Sequence, residues 1–188
     1  MSIKQFLGLT KAEFFTVSLI LLVVFSVSAF NFRIAIRKTR DSQRKSDVRA
    51  ITEALNKYKD ELGFYPESAE GKIKACDGGK TDLGITVFKA CEWGRDSLSD
   101  LADPSYLPYL KVIPSDVHSD RGVSYYYLSN VERFQIYASL EGADEAEYDP
   151  KIVSRKLPCG IKICNFGLSS GATPLERSIE EYENEISE

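Results

Sequence analysis

Between Gly8 and Gly63 the chain carries neither glycine nor proline. These two residues are the strongest helix breakers, at about 1 and about 3 kcal/mol in a helix interior. Their absence predicts one uninterrupted helix over residues 9–62, roughly 80 Å long. Its front is apolar from Phe14 to Phe32, interrupted only by Thr16, Ser18, Ser26, Ser28 and Asn31. That run measures roughly 28 Å, near the thickness of one bilayer core. A single carboxylate, Glu13, stands against its leading edge. An acid in hydrocarbon is costly unless paired, so its position raises a functional question.

Behind the apolar run the pattern changes twice. Arg37 to Asp47 contains no apolar residue, and a helix polar all round is expected to bridge solvent. Next, Val48, Ile51, Leu55, Tyr58 and Leu62 recur at steps of three and four. That spacing places them on one face, which predicts docking against a globular core. Asp41 precedes Lys45 by four and Glu53 precedes Lys57 by four, in the orientation that favours helix. Gly63 is the expected stop, with Pro66 beyond it.

Charge divides along the same line. Residues 1–62 hold a net +5 and the remainder −9, which together give the chain's −4. A basic helix before an acidic remainder does not read as a nucleic-acid binder; its cations cluster where anionic lipid headgroups would lie. Arg33, Arg37, Lys38, Arg40, Arg44 and Lys45 follow the apolar run, while only Lys4 and Lys11 precede it. By the positive-inside rule alone the globular part would be cytoplasmic. The cysteines argue for the opposite side. Cys76, Cys91, Cys159 and Cys164 fall into two close pairs that suggest two local disulfide loops, although three connectivities exist. Disulfides belong to an oxidising space. A zinc site is the weaker reading, because Cys76 and Cys91 are too widely spaced for a knuckle. A secretory leader is a further alternative, since Ser26 to Phe30 offers small residues for signal-peptide cleavage.

Taken together, Gly8, Leu9, Glu13 and the apolar helix resemble the N-terminal segment of a type IV pilin or type II secretion pseudopilin. "TRDSQRKSDVRAITEALNKYKDELGFYP" (Thr39 to Pro66) is similar to the helix of many pilin-like proteins. The likeness runs from about Lys4 to Gly167. It implies cleavage after Gly8 by a prepilin peptidase, methylation of the new Leu9 amine, and a charge pair between Glu13 and that amine on a neighbouring subunit. It further implies a homo-oligomeric filament shared with related pilins, a membrane assembly platform and a globular domain outside the cytoplasm. Leu9 departs from the usual Phe or Met, Lys11 from an apolar position, and Phe30 from a frequent proline. Ser115-Asp116-Val117 replaces the family's Asp-Pro.

The expected organisation is a leader over 1–8, an assembly helix over 9–32, and a collar and amphipathic half over 33–62. A globular domain over 63–167 and an acidic tail over 168–188, disordered or a frayed helix, complete it. The fold class is α+β, a long helix packed on a small antiparallel sheet. Strands are predicted at Gly84–Ala90, at "VSYYYLS" and at "RFQIYASL", the last two joined as a hairpin; "KIVS" reads as an edge strand. "DSLSDLADPSYLPYL" reads as a short helix or turns. Tyr126 is expected to face away from Tyr125 and Tyr127, as core plus surface rather than a base-stacking platform. The Asp144–Asp149 loop offers hard oxygen ligands, and some pseudopilins bind calcium after the sheet. It lacks EF-hand spacing, so a solvated loop is the preferred reading. His118, the sole histidine, is expected on a surface loop. No catalytic constellation is legible and no cofactor is expected; the chain reads as a structural subunit rather than an enzyme.

Overall fold

The computed structural model describes residues 10–103 and 105–187. Helix α1 spans Lys11–Leu62 without a break. It ends at Gly63, whose φ of +86° lets its N–H turn back to the Lys59 carbonyl at 2.7 Å, the left-handed closure that glycine adopts at least cost. The chain divides into two compact units after Thr39. In the first, the side chains from Phe14 to Phe32 are exposed. This stretch is long and apolar enough to cross a membrane.

The second unit is α+β: the C-terminal half of α1 packs on small antiparallel sheets. One sheet has the order β1 (Glu67–Ala69), β2 (Lys72–Lys80), β3 (Thr86–Ala90). The other has the order β4 (Tyr126–Ser129), β5 (Phe134–Ala138), β8 (Phe166–Ser169). A two-stranded hairpin, β6 (Pro158–Cys159) and β7 (Lys162–Ile163), lies between β5 and β8 in sequence. The two three-stranded sheets meet where Tyr127 donates its N–H to the Gly71 carbonyl at 2.8 Å.

Val48, Ile51, Leu55 and Tyr58 are buried, and Leu62 packs at the edge of the same core. Opposite them lie Ile73, Tyr125, Tyr127, Phe134 and Ile136. β5 is buried along its whole length, because its sheet is covered on both faces. Phe134, Ile136 and Ala138 face the helix side. Tyr137 faces a second cluster with Ile152, Cys159 and Cys164, against which Tyr126 is partly buried. Tyr126 therefore sits opposite Tyr125 and Tyr127, as strand alternation requires.

The cysteines form the two local bridges, Cys76–Cys91 and Cys159–Cys164. Residues 96–103 and 105–110 form turns rather than a helix, tied by paired bonds between Leu98 and Leu110.

Three sequence expectations are corrected or narrowed. "KIVS" is not a strand but part of helix α2, Pro150–Ser154. Asp149 caps it by accepting the Lys151 N–H at 2.8 Å, with Pro150 in the first turn; local capping outweighs the β-branched pair. The tail, expected to be disordered or a frayed helix, takes the helical form at its end and is tied down before it. Buried Gln135 donates to the Arg177 carbonyl at 2.8 Å and to the Pro174 carbonyl. Tyr137 and Arg155 both donate to the Leu175 carbonyl, at 2.9 and 2.7 Å. The chain then forms helix α3, Ile179–Ser187, opened by a capping box in which Ser178 and Glu181 exchange bonds at 2.9 and 3.1 Å. Third, the collar does not merely bridge solvent: Asp41, Arg44 and Asp47 are buried.

Candidate functional site

Two features carry functional interest, the head of α1 and the charged collar. At the head, Thr10 and Glu13 form a reciprocal capping box. Glu13 Oε2 accepts from the Thr10 backbone N–H at 2.7 Å and from its hydroxyl at 2.9 Å. The Glu13 N–H donates to Thr10 Oγ1 at 3.3 Å. This satisfies donors that a helix start otherwise leaves open. It also holds the carboxylate against the backbone that precedes the helix. The Thr-x-x-Glu spacing was the signal in the sequence for this contact. Gly8 and Leu9 lie outside the described residues.

Behind this head, Thr16 and Ser26 turn their hydroxyls back to the Ala12 and Leu22 carbonyls, at 3.0 and 2.8 Å. Those bonds leave the helix surface suited to an apolar surrounding. The large side chains on this stretch remain uncovered, Phe25 at 76% and Leu22 at 64% exposure.

The collar centres on Arg44, a guanidinium 1% exposed. Its Nε and Nη2 donate to the two oxygens of Asp116 at 2.7 and 3.2 Å, the forked geometry that favours arginine over lysine. Nη1 donates to Asp41 and to Glu141, both at 2.9 Å. The acids have further donors. Asp41 accepts the Glu141 and Gly142 N–H groups at 2.8 and 3.0 Å, and Asp116 accepts the His118 N–H at 2.7 Å. Arg40 grips Glu141 from the solvent side through Nε at 2.8 Å and through Nη2. His118 Nε2 stands 3.3 Å from the same carboxylate. One turn on, Asp47 accepts from Tyr125 Oη and Gln43 Nε2, each at 2.7 Å.

These contacts set the ionisation of the cluster. Burial pulls Arg44 down, but its bonds to Asp116 and Glu141 outweigh it and raise the guanidinium. Burial, reinforced by the bond to Asp47, pushes the Tyr125 phenol up. The bond from Arg40, with Arg44 behind it, holds Glu141 down at about 2. A depressed carboxylate stabilises the fold above its unfolded value, 4.5, and that contribution is lost as pH falls toward about 2. The urea midpoint of the wild type is therefore expected to drop over this window. The drop should be shallower in Glu141→Gln, as followed by tyrosine fluorescence. Equal slopes in both proteins would remove Glu141 from the account.

The Asp144–Asp149 loop is not simply solvated. Lys45 Nζ is held by Glu145 and Glu147 at 2.8 and 3.0 Å, and Asp149 is spent on capping α2. Among the described residues no three His, Cys, Asp or Glu side chains are grouped to hold a metal.

Asp41, Arg44 and Asp47 continue the stripe of Val48, Ile51, Leu55 and Tyr58 at the same three- and four-residue steps. The docking face thus extends into the collar in charged residues, a periodicity that an apolar count passes over. What the collar does chemically is fix position: a slipped helix would strand Arg44 or its acids without partners. Comparison with models of protein families, with curated proteins and with solved structures returns no match to this chain.

Proposed function

We propose that this chain is a pilin-like subunit, a pilin or pseudopilin, of a membrane-anchored filament. The supporting observation is the head of α1: a carboxylate held by its own capping box immediately before an apolar helix that nothing covers. In this reading a prepilin peptidase cuts after Gly8 and methylates the Leu9 amine. Glu13, already poised at the helix start, pairs with that ammonium on a neighbouring subunit. In a low dielectric the pair is strongly attractive, though desolvation offsets much of the gain. Its value is register, because a subunit at the wrong axial position leaves a bare charge. The assembly platform and lipid hold the helix before polymerisation. Between lipid and a helix bundle there is little hydrophobic difference, so close packing and charge pairing decide association.

The two disulfides support a globular domain outside the cytoplasm, where thiols are oxidised. The reading needs no cofactor, catalytic residue or nucleic acid. Its rival is a secreted or membrane-anchored binding domain with an ordinary signal peptide. Intact mass and N-terminal sequencing separate the two: a methylated Leu9 start supports the filament subunit, and a start near Ala29 or Phe30 overturns it.

The charge is tested apart from the cap. Glu13→Ala removes both, whereas Glu13→Gln keeps an oxygen acceptor for Thr10 and loses the charge. Both variants are expected to insert and to be cleaved, with sheared filament yield down at least roughly tenfold, about 1.4 kcal/mol in assembly free energy. Wild-type yield from Glu13→Gln would show that the acid acts only as a helix cap.

A further inference from the structure

The distal half of the β2–β3 ribbon has apolar side chains and no core beneath it. Asp77, Gly78, Gly79 and Lys80 are exposed on β2, and Val87, Phe88 and Lys89 on β3. Val87 and Phe88 are adjacent, so they point to opposite faces, and at 43% and 42% exposure neither face is covered. The turn before them adds Leu83 and Ile85, at 86% and 62%. An isolated two-stranded ribbon is at best marginally stable.

β3 is also an edge. The Cys91 N–H bonds the Ile73 carbonyl across to β2 at 2.8 Å, and the Val87 carbonyl faces Gly78. By alternation, the backbone N–H and C=O of Thr86, Phe88 and Ala90 point away from β2. Edges are ordinarily blunted by proline, charges, bulges, shortness or a covering loop. β3 has one lysine and no proline, and the irregularities of its ladder with β2, between Lys74 and Cys76 and between Asp77 and Lys80, lie on the β2 side.

The bare surface continues on both sides of this edge. A groove of about 320 Å³ runs from Val87 and Phe88 to Phe64, Pro66 and Tyr58. A second, of about 430 Å³, joins Thr86 to Tyr106 and Pro108. Phe64 and Tyr106 are 43% and 48% exposed, and Leu107, beside Tyr106, is 78% exposed. At roughly 200 Å² for a large apolar side chain, the exposed fractions of these side chains amount to on the order of 800 Å², the share one partner gives a standard stable interface.

We propose that this surface joins two copies of the chain, with their β3 edges paired antiparallel about a two-fold axis. Water solvates an exposed edge, and the same strand of a second copy replaces that water with matching outward groups while covering the apolar side chains beside it. A two-fold at Val87 sets Val87 against its own copy, Thr86 against Phe88, and Ile85 against Lys89. The one charge of β3 then meets an apolar stem rather than a like charge. Leu83 and Ile85 of each copy reach the grooves of the other, and the two sheets become one of six strands. This self-pairing is separate from the packing of membrane helices and does not depend on cleavage or on Glu13.

The test uses the full-length chain in detergent micelles, with a photo-crosslinking phenylalanine analogue at Phe88 or, as control, at Ile161, an exposed side chain of the β6–β7 hairpin. Position 88 is expected to give covalent homodimer at least tenfold above position 161. Val87→Lys and Val87→Asp, both at an exposed position, should each abolish it, and an equimolar mixture of the two should restore it as a heterodimer. Homodimer from position 88 that persists in Val87→Lys overturns the two-fold pairing. So does equal yield at positions 88 and 161, or capture in cells of a different protein instead of a second copy.

Discussion

Replacing Arg44 by methionine should lower the stability of the globular unit by about 3–5 kcal/mol, the cost of stripping one partner from a buried charge cluster. The apolar volume is roughly retained, so the loss is electrostatic. Asp116 loses its fork, and Asp41 and Glu141 lose the cation between them. Asp41 retains two backbone donors and Asp116 one, which keeps the effect below that of an unpartnered acid. Arg44→Lys should recover only part of the loss, because an ammonium cannot fork across Asp116. Asp116→Asn added to Arg44→Met should recover stability by removing the stranded charge. Urea unfolding of the full chain in detergent reads all three. A methionine variant with a wild-type midpoint would mean that the collar charges are solvated in solution.

Truncating Leu55 to alanine should cost about 2–5 kcal/mol in the same measurement. Leu55 is fully buried between the sheet and α1, and close packing leaves its neighbours little room to collapse into the gap. Leu21→Ala removes the same atoms from the same helix, yet it should leave the unfolding midpoint of the globular unit unchanged. Leu21 is 62% exposed and contributes no core contact there. If the chain is the filament subunit proposed above, its effect should surface in filament yield instead, where helix packing would decide association. Equal destabilisation by the two substitutions would dissolve the distinction between a docking half and an exposed apolar half.

The difference between those two leucines was legible before any coordinates. Leu55 belongs to a stripe repeating at three and four residues, whereas Leu21 lies in a run apolar on every side. Helix continuity followed equally directly from the missing glycine and proline, and the β4–β5 hairpin from two strand-like runs separated by a short loop. The "KIVS" segment misled because side-chain propensity was read without the Asp-Pro that caps it. The tail stayed open between disorder and a frayed helix because its charge suggested solvation. Its anchoring bonds come instead from Gln135, Tyr137 and Arg155 to its backbone carbonyls, and backbone carbonyls carry no residue code.

By itself, then, the sequence determined the elements whose cause is local: a long helix, its apolar and docking halves, and the β4–β5 hairpin. Tertiary structure alone decided the partners of the collar. Arg44 meets Asp116 and Glu141 across 72 and 97 residues of chain, and Lys45 meets Glu145 across 100. An apolar residue declares burial through its own solvation. A charged residue is stable either in water or beside a counter-charge, and only the folded chain brings the second within reach.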